Sequence, residues 1–129
     1  MAIPMPGPED PCPCGAGAFG ECCRPLLQRQ RTAASPEELM RSRFTGYAVG
    51  ELDHVFRTWH PRTRPLTLTP DPETRWLRLE VLDAVDDEVE FRAHHEHLGA
   101  PRVLHERSRF EQRRGQWVYV EAVQGQVLS

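Results

Sequence analysis

Four thiols stand close together in CPCGAGAFGECC, residues 12 to 23, and no other cysteine occurs in the 129-residue chain. Clustered cysteines in a reducing compartment bind a metal or do redox chemistry more often than they form structural disulfides. Cys12 and Cys14 flank Pro13, Cys22 and Cys23 are adjacent, and seven residues separate the two pairs. A short loop can therefore bring four thiolates to one tetrahedral ion, and four soft sulfur ligands suit Zn2+ best. Gly15 and Gly17 permit a tight turn after the first pair, and the prolines before it stiffen the approach. A redox centre would more naturally show CxxC at a helix N-terminus, and a disulfide would need an oxidising location. CxC followed by CC is a less familiar spacing than paired CxxC, so spacing alone leaves both alternatives open beside zinc.

The elements that must carry these residues follow from periodicity. Ser35 with Glu38 makes a capping box, Pro36 suits the first helical position, and Met40, Phe44, Tyr47 and Ala48 form one helical stripe. This predicts a helix from about Pro36 to Gly50. Leu52, Val55, Phe56 and Trp59 make a second, shorter stripe that Pro61 closes. From Arg75 onward the period changes to two. Leu77, Leu79 and Val81 alternate with polar neighbours, as do Val89, Phe91 and Ala93, with Asp86 and Asp87 at the turn between them. Gly99 and Pro101 precede a run from Val103 to Phe110, and Gly115 divides it from Trp117 to Val123. Four antiparallel strands after two helices make an α+β domain. The expected organisation is 1–30 as a zinc-stapled appendage and 31–129 as the α+β domain, with a proline-rich connection over 61–74.

Charge and targeting narrow the function classes. The formal net charge is −3, yet the span from Arg24 to Arg64 holds eight arginines against four acids, and the span from Pro65 to Ser129 eight against twelve. All sixteen basic residues are arginine and asparagine is absent, as a GC-rich genome would produce. The arginine-rich helical half suits an anionic partner or simply a solvated edge. Without lysine clusters or a basic patch interleaved with aromatics, nucleic acid is not favoured. No signal peptide and no run long enough to cross a bilayer is expected, so the sequence is read as that of a soluble, cytoplasmic protein.

CPCGAGAFGECC resembles the SEC-C motif, a small zinc-binding module in which CPCGSG is followed by a CC or CH pair. The interval here is one residue shorter than usual, and Ala18, Phe19 and Gly20 replace the customary basic residues. SPEELMRSRF (35–44), TWHP (58–61), HERSRF (105–110) and GQWVYVEA (115–122), in this order, resemble the YchJ-like family of small bacterial proteins. The resemblance implies Zn2+ on Cys12, Cys14, Cys22 and Cys23. It also implies a nuclear-transport-factor-2-like, or cystatin-like, fold, in which a curved sheet and helices enclose a cone.

Polar residues of these segments are the remaining candidates: Arg41, Arg43, Trp59, His60, His105, Glu106, Arg107 and Arg109. Strand alternation sends His105, Arg107 and Arg109 to one face and Glu106 and Ser108 to the other. Side chains pointing into a cone can form a pocket, as in the similar ketosteroid isomerases, where a carboxylate would serve as general base and His60 or an arginine would polarise an anionic group. Against that stands an ion-pair network of Arg41 and Arg43 with Glu106, fixing helix to sheet. His94, His95 and His97 are expected at a solvated edge, and Trp76 and Trp117 in packing roles. The leading function is therefore an adaptor presenting the knuckle and arginine-bordered helices to a protein or anionic partner; the alternative is a small enzyme or small-molecule binder using the cone, and a redox or metal-handling role, which would require the zinc to exchange readily, comes third. An open pocket with unpaired polar groups favours the second, and a filled cone with satisfied charges favours the first.

Overall fold

The computed structural model describes residues 2–128, with side chains described as far as residue 125, so the outermost positions of the two expected spans lie outside it. Helix α1 (Arg24–Leu27) is a single turn that follows a 3-10 turn at Phe19–Glu21. Helix α2 (Pro36–Val49) begins where the capping residues place it. The Ser35 hydroxyl accepts the Glu38 N–H at 3.1 Å, and the Glu38 carboxylate accepts the Ala34 N–H at 2.8 Å. Gly50 ends the helix at φ +83°, a conformation that glycine adopts without strain. Helix α3 (Leu52–Arg57) follows directly.

Strands β1 (Thr74–Val85), β2 (Glu88–His97), β3 (Ala100–Arg113) and β4 (Gln116–Leu128) form one antiparallel sheet in sequence order. Two-residue turns join them at Asp86–Asp87, Leu98–Gly99 and Arg114–Gly115. The strands outrun the sequence expectation. β3 starts at Ala100, and Pro101 lies inside it, opposite Glu96, at a level that β4 does not reach because their pairing begins at Val103. A residue without an N–H is tolerated where the strand has only one neighbour.

The inner face carries Val89, Phe91, Ala93 and His95 of β2, in register with Ser108, Glu106 and Leu104 of β3 opposite the first three. β1 departs from simple alternation. Its pairing jumps from Trp76↔His95 to Arg78↔His94, leaving Leu77 as a bulge residue. The extra residue turns Leu77 outward, 43 % exposed, and lets both Trp76 and Leu79 face the core. The solvated-edge expectation fails for His95, which lies on the inner face of β2 and is buried with its ring 4.5 Å from that of Trp76.

Residues 2–30 do not hang apart from the sheet domain. Cys12, Cys14, Phe19, Cys23 and Leu27 belong to the same buried cluster as Leu39, Met40 and Phe44 of α2 and Val89, Phe91 and Phe110 of the sheet. The cysteine loop thus packs into the same core as α2 and the sheet.

Candidate functional site

The cysteine loop is organised by its own backbone. The Cys12 N–H donates to the Gly17 carbonyl at 2.7 Å, the Gly15 N–H to the Cys12 carbonyl at 2.9 Å, and Pro11 bridges Ala18 across the neck. Gly15 makes the reversal at φ +83°. Gly20 has a different role: a Cβ there would lie 2.8 Å from Pro8 Cβ, and its N–H donates to the Pro8 carbonyl. The proline-rich N-terminal segment is packed against the loop where a side chain would otherwise stand.

The four sulfur atoms converge, all lying within 4.8 Å of one another. Cys14 and Cys22 are 3.4 Å apart, Cys22 and Cys23 3.9 Å, and none is in a disulfide. Cys12, Cys14 and Cys23 are buried and Cys22 is half-buried. Their ionisation is strongly opposed. Hydrogen bonds from the Cys14 and Cys23 thiols hold Cys12 down to about 2, while burial pushes Cys22 up to about 12. Cys23 is raised by its hydrogen bonds to the Cys12 and Cys14 thiols. One thiolate forms readily, but four cannot coexist at this spacing without a cation between them. The donor set therefore fits a bound metal ion. Helix α2 supports it from outside: Thr45 Oγ1 donates to Cys23 Sγ at 3.4 Å, and Arg41 Nη1 donates to the Cys14 carbonyl at 2.8 Å.

A second site lies under α2, in a cavity of about 290 Å³ between the helices and the sheet. Phe44, Trp76, Phe91 and Leu104 supply apolar walls, and Arg43, Glu106 and Ser108 supply polar groups. Arg43 is 4 % exposed. Its Nη1 donates to the Val55 carbonyl at 2.7 Å and to Thr58 Oγ1 at 2.9 Å, and its guanidinium carbon lies 4.9 Å and 4.7 Å from the ring centroids of Trp59 and Tyr119. Burial pushes its pKa down to about 10, so it remains a cation at neutral pH. Glu106 Oε2 accepts both the Ser108 hydroxyl and, at 3.3 Å, the Tyr119 hydroxyl. Burial, followed by the Glu106 charge, raises the Tyr119 pKa, so that phenol stays protonated. The Trp59 indole N–H is buried with no partner among the described residues.

Of the eight polar candidates, the cone gathers Arg43, Trp59 and Glu106. Arg41 is two positions from Arg43, about 200° around the helix, so only one of them can face the cone. It instead pairs with Glu37 at 3.0 Å, beside the cysteines. His60 passes to the outer edge of β4, where its N–H donates to the Tyr119 carbonyl and its Nε2 lies 3.4 Å from Glu111. His105, Arg107 and Arg109 occupy the outer face of β3, paired respectively with Glu90, with Asp83, Glu88 and Glu90, and with Glu111 and Glu121. The network anticipated between Arg41, Arg43 and Glu106 does not form: among the described residues Arg43 hydrogen-bonds only to neutral groups. Tyr47, Trp76, Ser108 and Tyr119 are the cone residues that sequence reasoning left out of the site. Tyr47 stands four positions after Arg43 in the helical stripe, and Ser108 shares Glu106's face by alternation; both signals were present in the sequence.

Comparison with known proteins agrees with this architecture. The family described as "YchJ, middle NTF2-like domain" matches residues 35–122, from the cap of α2 into β4. The chain belongs to the YchJ-like family. This YchJ-like chain is 44 % identical over 119 residues to a UPF0225 protein of Deinococcus radiodurans, with 91 % of this chain and 92 % of that one covered. It is 40 % identical over 137 aligned positions to a UPF0225 protein of Ralstonia nicotianae, covering 93 % and 95 %. Among solved structures, a SEC-C motif containing protein from Rhodopseudomonas palustris superposes with a TM-score of 0.80 at 38 % identity, covering 88 % of the YchJ-like chain and 97 % of its own. Another from Psychrobacter arcticus, at 20 % identity and a TM-score of 0.68, shares the fold, with 86 % and 79 % covered. The SEC-C motif of the YchJ-like chain is the cysteine loop described above.

Proposed function

We propose that the protein is a zinc-bearing, small-molecule-binding protein of the bacterial cytoplasm, in which the metal braces α2 and α2 holds Arg43 in the cone. The observation that carries this is the state of the cone's charges. A buried guanidinium and a carboxylate line one cavity without pairing, although buried charges are costly unless partnered. A bound ligand would supply the missing partners, as a pocket with a few convergent polar groups in apolar walls is suited to do. Zinc is the metal of choice because four thiolates at about 2.3 Å from Zn2+ in a tetrahedron stand roughly 3.8 Å apart. The Cys14–Cys22 and Cys22–Cys23 separations of 3.4 and 3.9 Å bracket that value. Four reduced thiols also suit a reducing compartment.

The adaptor reading draws less support, because five of the eight arginines between Arg24 and Arg64 already sit beside a carboxylate, Arg62 beside Glu111 among them. Arg29 and Arg57 pair with Asp53, Arg31 with Glu38, and Arg41 with Glu37. Ligand-observed NMR with a mixture of small ring compounds, on wild type and Arg43→Met, tests the proposal. Fragments that bind wild type and are lost in the variant support it. No binding, or equal binding to both, would sink it.

A further inference from the structure

We infer that the ligand of the cone is an uncharged, flat, one- or two-ring molecule carrying a hydrogen-bond acceptor for Arg43 and a donor for Glu106. The inference rests on the reading of the cone as a ligand site and specifies what the site takes.

The charges come first. Arg43 and Glu106 line the same cavity, so an anion drawn to one is repelled by the other, and a cation likewise. Only a neutral molecule with both polarities escapes this penalty. A small zwitterion would carry more ionic hydrogen-bonding sites than the cavity can serve, leaving charged groups stripped of water.

The unfilled valences define the recognition. Arg43 uses Nη1 for Val55 and Thr58, while its Nε and Nη2 make no hydrogen bond among the described residues. Glu106 uses Oε2 for Ser108 and Tyr119, and its Oε1 accepts no hydrogen bond among the described residues. The spare Arg43 donors, the Trp59 indole N–H, which is buried with no partner among the described residues, and one acceptor oxygen of Glu106 are thus left for a ligand.

The walls supply the shape. Phe44 and Trp76 meet edge to face with centroids 6.1 Å apart, and Phe91 and Leu104 also line the cavity. Aromatic walls favour a flat π-face, and about 290 Å³ lies at the small end of ligand cavities, which suits one or two rings.

The test uses four probes titrated into the full chain with its metal: quinolin-2(1H)-one, its N-methyl derivative, 2-naphthoate and 2-naphthylmethylammonium. The Trp59 indole resonance, assigned with Trp59→Phe, and the backbone amides of residues 104–108 are followed by 15N NMR. Quinolinone is expected to shift these signals saturably. The N-methyl derivative, which has lost its donor, and both ions should bind at least about tenfold more weakly, the loss typical of one hydrogen bond to a charged group. Glu106→Gln removes the negative charge with little change of shape, and should raise naphthoate binding relative to quinolinone. Naphthoate or the ammonium probe binding wild type better than quinolinone would overturn the ligand class while leaving the cone as a site. So would a Glu106→Gln variant with unchanged preference. If no probe moves any cone resonance, the underlying reading fails together with the inference.

Discussion

Tyr119 bridges Arg43 and Glu106. The guanidinium lies 4.7 Å from the tyrosine ring centroid, and the tyrosine hydroxyl donates to the carboxylate at 3.3 Å. A phenol that stays protonated can serve both neighbours at once, presenting its π-face to the cation and its O–H to the anion. The two charges are thereby held near each other without collapsing into the ion pair that would close the cavity.

This arrangement sets the stability of Arg43 variants. Breaking a buried ion pair would cost about 3 kcal/mol or more. Arg43 has no such pair among the described residues, and relief of its buried charge offsets part of the loss of its two hydrogen bonds to Val55 and Thr58, so Arg43→Met should cost about 1–2 kcal/mol, less than a broken buried pair. Urea unfolding at pH 7 measures this. A loss near 3 kcal/mol would mean that the guanidinium is a structural keystone.

His54 makes stability depend on pH. The Ser42 hydroxyl donates to the Leu39 carbonyl at 2.8 Å, so at the 2.9 Å contact with His54 Nε2 it must accept, and the ring carries its proton on Nε2. Its Nδ1 is buried with no partner among the described residues, and burial pushes the folded pKa down to about 4 from 6.5. The folded protein therefore refuses a proton that the unfolded chain accepts. The stability this group contributes is complete above about pH 6.5 and declines as pH falls toward 4. Unfolding midpoints between pH 7 and pH 4.5 should fall more steeply for wild type than for His54→Gln. Parallel slopes would refute the assignment.

Metal loss should reach beyond the cysteine loop. Cys12, Cys14 and Cys23 share a buried cluster with Leu39, Met40 and Phe44, and Thr45 bonds to Cys23. Elemental analysis should find one zinc per chain, lost in Cys14→Ser. Chelation should lower the melting temperature of the whole domain by on the order of 10 °C, since metal binding is folding free energy. An unchanged transition, with metal removed, would show that residues 2–30 and the sheet domain are energetically separate.

The bulge in β1 can be read out with two substitutions. Trp76 packs against Phe44, Tyr47 and His95, whereas Leu77 is turned outward. Trp76→Ala should cost about 3 kcal/mol or more, as removal of a large packed ring does. Leu77→Gln should stay within about 0.5 kcal/mol, the usual range for surface positions. The opposite ranking in denaturant unfolding would restore uninterrupted alternation and contradict the register.

What the sequence determined by itself was local. Ser35, Pro36, Glu38 and Gly50 delimit α2 because capping and left-handed closure act within a few residues of chain. The four cysteines mark the loop as a candidate metal set by ligand type, but their spacing left redox and disulfide readings open, and it was the fold that brought all four sulfur atoms within 4.8 Å of one another. Alternation correctly separated His105, Arg107 and Arg109 from Glu106 and Ser108, yet could not say which set faces inward. That was decided by pairing with Val89 and Phe91 across β2, where the apolar side of one strand sets the inner face of its neighbour. The bulge at Leu77 and the separation of Arg43 from Glu106 were likewise beyond the sequence. Both depend on how α2 and the strands, distant in sequence, meet around a cavity, and a side chain's partners across such a gap are set by tertiary packing and not by spacing along the chain.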